Sequence, residues 1–120
     1  MNNDLSFPSL THYIFFRIVP IIRERRIFLT AIQVITLFNT SILTIHRLKA
    51  CEAISLIAQT EDFVTNPTKY YDTSNAKEIN ALLDFREQVL PGLMTDFDSR
   101  KTLRPLADVI DRIKRQMSRK

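Results

Sequence analysis

Glycine is almost missing from this chain: Gly92 is the single one in 120 residues. Sandwiches and barrels need many tight turns, and such turns use glycine for positive φ. A chain with one glycine therefore points to a few long helices. The same scarcity excludes glycine-rich phosphate loops, since neither GxGxxG nor GxxxxGK[ST] can be written with one glycine. Cysteine is equally sparse. Cys51 stands alone, so no internal disulfide can form and a disulfide-stapled secreted domain is ruled out. A reduced, intracellular and cytoplasmic setting is expected. No secretory leader is expected either, because Asp4 lies near the start and Arg17 and Pro20 interrupt the apolar run that follows. Two histidines with no paired spacing build no metal site, and no cofactor or metal is expected.

Apolar side chains are abundant. They make up 45% of the residues, enough for a packed core in one domain spanning 1–120, with residues 1–8 read as a frayed start. Charge is unevenly spread. Residues 1–50 carry six Lys/Arg against two acids, residues 51–99 three against nine, and residues 100–120 eight against two. Basic ends flank an acidic middle, a pattern that can pair within the chain or between two copies without any polyanion.

Ser9 can cap a helix through LTHYIFFRIV, which Pro20 ends or kinks. A second helix is expected over 21–38 and a third over 41–59. Asn39-Thr40-Ser41 forms the break, and one unbroken helix over 21–59 is the alternative. Residues 60–75, TEDFVTNPTKYYDTSN, read as a long loop. Asn75 followed by Glu78 resembles a capping box, opening a fourth helix that Pro91-Gly92 breaks. Leu103, Leu106, Ala107, Ile110, Ile113 and Met117 then form the stripe of a last amphipathic helix.

Residues 27–45, beginning at Ile27 and ending at Ile45, contain no charge and match a bilayer core in length. Seven of these 19 residues are polar, however, including Gln33 and Asn39, and the flanking charges are basic on both sides. A buried helix of a bundle fits this composition better than a membrane span.

The stretch SILTIHRLKAC, residues 41–51, places Ile42, Ile45, His46, Leu48 and Lys49 in a short pattern. It resembles the motif of histidine-containing phosphotransfer domains, helical bundles of similar size. There an exposed histidine is followed by an apolar residue at +2, a lysine at +3 and a glycine. The resemblance implies His46 as phosphoryl acceptor, with Lys49 steadying the phosphoryl oxygens. An imidazole nitrogen is a competent nucleophile, and a lysine one turn on is a natural phosphate partner. Two departures stand beside it. Ala50 replaces the glycine, and the second glycine further on is absent from AISLIAQ. On a helix His46 also shares a side with Ile42, Ala53 and Ile57, which predicts a covered, packing ring.

Other candidates are weaker in chemistry. Cys51 lies about 140° around a helix from His46 and reads as a small core residue. Asp96 and Asp98 read as helix caps rather than metal ligands. Arg23, Arg25 and Arg26 in RERR, and the C-terminal RIKRQMSRK, could meet phosphates. They lack interleaved aromatic reading elements, so a nucleic-acid partner is not expected. Tyr70 and Tyr71 offer a paired aromatic anchor for a partner, or a plug for the end of the bundle.

These features amount to an all-α bundle of four to five helices, mostly antiparallel. The function expected is that of a non-catalytic regulatory or adaptor protein that binds another protein and pairs as a homodimer. A phosphorelay carrier using His46 is the rival, and a small membrane subunit through residues 27–45 a second alternative.

Overall fold

The computed structural model describes residues 25–118, with side chains from Phe28 to Met117. The helix expected over LTHYIFFRIV, the Pro20 kink, residues 1–8 and Arg23 lie outside this range. So do the side chains of Arg25 and Arg26 and the last residues of RIKRQMSRK.

The chain is all-α, with no strand among the described residues. Helix α1 is Arg25–Leu37 and α2 is Thr44–Ala58. A short α3, Glu61–Thr65, and a 3₁₀ turn, Pro67–Lys69, follow. Then come α4, Ala76–Gln88, the single turn α5, Leu90–Leu93, and the long α6, Phe97–Ser118. Two antiparallel pairs organise the molecule, α2 against α6 and α1 against α4. Helices α4 and α6 also touch, which joins the pairs around one core.

Helix α1 buries Phe28, Leu29, Ala31, Ile32 and Ile35, the 3-and-4 spacing of an inward face. It stops where Asn39, Thr40 and Ser41 follow, and the chain turns over residues 38–43. The break between two helices is therefore real, and the single helix over 21–59 is excluded. It also separates the uncharged residues 27–45 into two elements. The uncharged part of α1, residues 27–37, spans roughly 16 Å against the roughly 30 Å of a bilayer core. No described helix is long and apolar enough to cross a membrane.

Side chains fasten this elbow. The Arg47 guanidinium donates to the Asn39 side-chain oxygen, to the Ile42 carbonyl at 3.2 Å and to the Thr44 hydroxyl at 3.0 Å. Asn39 in turn donates to the Gln88 carbonyl at the end of α4 at 3.0 Å. One arginine thus ties the start of α2 to the turn, and through Asn39 to α4.

Residues 60–75 are more ordered than a loop. Thr60 ends α2 and starts α3: its hydroxyl donates to the Ile57 carbonyl at 2.8 Å and accepts from the Phe63 N–H at 3.2 Å. Proline at the first position suits the 3₁₀ turn, whose N–H would be unpaired there anyway. Asn75 caps α4 as expected, accepting from the Lys77 and Glu78 N–H groups. Asp96 caps α6 through Ser99, a contact that holds the Asp96 carboxyl below the usual range. Pro105 lies inside α6, and close by the buried Ser55 hydroxyl donates from α2 to the Thr102 carbonyl at 2.9 Å. Leu103, Leu106, Ala107, Ile110 and Ile113 are all buried.

Candidate functional site

His46 sits in the first turn of α2, with Ile42 buried before it. Ala53 and Ile57, on the same flank, are half-buried. The ring is half-buried as well, but its Nδ1 is fully covered and has no hydrogen-bond partner among the described residues. Lys49 is exposed one turn on, while Ala50 is buried at 3% exposure. The position that should stand open to a docking receiver therefore faces the core. Arg47, between His46 and Leu48, is engaged in the elbow.

Tyr70 and Tyr71 are not surface anchors. They are 2% and 7% exposed, packed with Phe28 and Phe63. Ring centroids lie 4.9 Å apart for Phe63 and Tyr70, 5.3 Å for Phe28 and Phe63, and 5.9 Å for Phe63 and Tyr71. The physical reason is the amphipathic build of tyrosine: the ring fills the bundle end while the hydroxyl reaches a partner. Tyr70 donates to Asp62 of α3, and Lys69 pairs with the same carboxylate at 3.2 Å. These bonds, Tyr70 foremost, hold the Asp62 carboxyl below its usual range. Burial pushes the Tyr71 hydroxyl up.

Beside Tyr71 is a cavity of about 260 Å³ between the 3₁₀ segment and the second half of α6. Val64, Pro67, Val109, Arg112 and Gln116 help line it. The hydroxyls of Thr68, Thr73 and Tyr71 border it, but no His, Asp, Glu or Lys among its lining residues could act as a base to activate them. Cys51 is fully buried and its thiol is pushed up to about 12 by burial, which removes it as a nucleophile. No three His, Cys, Asp or Glu side chains among the described residues gather as a metal site.

The feature that residue-by-residue reading passed over is apolar. Leu37 is 75% exposed, Leu56 64% and Ile45 52%, with Leu43 and Phe38 also open. Val64 and Phe97 are exposed elsewhere, and four of these seven side chains lie at the elbow or in the first turn of α2. The signal was in the α2 sequence TIHRLKACEAISLIA, which has apolar residues on every side of the helix.

No family model, curated protein or solved structure matches this chain.

Proposed function

We propose that this chain is a non-catalytic helical binding protein, with the elbow between α1 and α2 and the outer side of α2 as its contact surface. One observation carries the reading: α2 has apolar residues on every side, and on its outer side Ile45 and Leu56 are more than half exposed. Clustered exposed apolar side chains mark contact surfaces. The rest of the molecule supports a scaffold role. Arg47 and Asn39 brace the elbow, so the surface is presented in one shape.

A photo-crosslinking amino acid placed at Leu37 tests this in living cells. A discrete adduct that Leu43→Glu abolishes is the expected result. Absence of any adduct, with the protein folded, would end the reading.

The rival is phosphoryl transfer through His46 with Lys49. It is favoured by the exposure of Lys49 one turn beyond a ring that is only half-covered. Incubation with acetyl phosphate or a phosphorylated receiver, with His46→Gln as control, decides it. We expect no acid-labile label on His46, since Ala50, where a docking receiver would need room, is turned inward. A label lost in His46→Gln would replace the binding proposal.

A further inference from the structure

The outer side of α2 has an order that the elbow lacks. Ile45, Lys49, Glu52 and Leu56 follow one another at intervals of four, three and four residues. That is the spacing of a helix-pairing seam, and it confines the four side chains to an arc of about 60°. Ile45, Lys49 and Leu56 are exposed and Glu52 is half-exposed. The buried residues Ala50, Cys51, Ile54 and Ala58 occupy the opposite side. Neither Lys49 nor Glu52 forms an ion pair with another described residue.

Resting on the binding proposal above, we infer that this stripe pairs α2 with α2 of a second copy, antiparallel about a two-fold axis between Lys49 and Glu52. The sequence of the stripe, apolar–basic–acidic–apolar, is its own complement when reversed. The register that sets Ile45 against the partner's Leu56 also sets Lys49 against the partner's Glu52, and symmetry repeats both contacts. Isologous interfaces require this self-complementarity. A parallel pair would put Lys49 on Lys49 and Glu52 on Glu52, so the charges select the antiparallel arrangement. One seam of this length is small for an interface, so a weak, concentration-dependent association is expected.

Sedimentation velocity of the full chain between about 5 and 500 μM tests the pairing, with circular dichroism to show that every variant is folded. The wild type should pass from monomer to dimer across that range. Lys49→Glu and Glu52→Lys should each weaken the dimer about tenfold or more, since either change turns both symmetric ion pairs into like-charge contacts. The double variant K49E/E52K should recover most of the loss, because the pairs are re-formed with their signs exchanged. Unfolding curves of the monomeric variants separate this recovery from restoration of the i, i+3 pair within one helix. A monomer at all concentrations overturns the inference, and so does a dimer indifferent to the three variants. In either case a Leu37 adduct with a different protein would leave the binding proposal standing, so the two fail separately.

Discussion

At the scale of single residues, the aromatic plug is the most informative group. Asp62 lies on the surface, yet its carboxyl is held below its ordinary value of 3.8, first by the Tyr70 hydroxyl and then by Lys69. A carboxyl whose value is lowered by folding stabilises the folded state above its ordinary value, and the contribution fades as pH falls through the lowered one. Tyr70→Phe should therefore be less stable than wild type at pH 7, and the gap should narrow as the solution is taken below pH 3.8. Urea unfolding at a series of pH values measures this. An equal gap at pH 7 and pH 2.5 would mean that the hydroxyl acts through packing alone. Asp96, lowered by Ser99 at the start of α6, is independent of Tyr70 and should keep its own acid sensitivity in the variant.

At the scale of elements, helices here start and stop on side-chain chemistry and prolines rather than on glycine. Asn75, Thr60 and Asp96 cap, Arg47 braces, and no described residue adopts a positive φ. Gly92, in α5, follows the same rule. It is exposed, has negative φ, and a Cβ built on it meets nothing within 4 Å. Its freedom is thus used only by the unfolded chain. Gly92→Ala should raise stability by about 0.4–1 kcal/mol, by narrowing the unfolded ensemble without disturbing the fold. A thermal melt that moved downward instead would reveal a conformational need at this turn.

At the scale of the whole molecule, apolar side chains divide into two populations that sequence composition does not separate. Ile110 is enclosed between helices, 1% exposed, in the stripe that α6 turns inward. Ile110→Ala should cost about 2–4 kcal/mol, the usual range for a large core truncation. Leu56 is 64% exposed, and Leu56→Ser should change monomer stability by less than about 0.5 kcal/mol. Paired unfolding curves at low concentration check both values. A large loss on changing Leu56 would mean that the chain itself covers the outer side of α2, contrary to the proposed contact surface.

Composition and local pattern alone determined the class of the molecule. One glycine, the helical stripe of α6, the cap at Asn75 and the break at Asn39-Thr40-Ser41 all depend on interactions within a few residues, and these are legible in a linear string. The α6 stripe could be read because an amphipathic helix declares its inner side. Helix α2 could not be read this way. With apolar residues on every side, its pattern names no inner side, and only packing against α6 decided that Ala50 and Ile54 point inward while Ile45 and Leu56 point out. The same holds for Tyr70 and Tyr71. Their polar, proline-containing surroundings suggest a surface, but contacts with Phe28 of α1 and Phe63 of α3 bury them. Burial is a property of which elements meet, and residues distant in the chain meet only in the folded molecule.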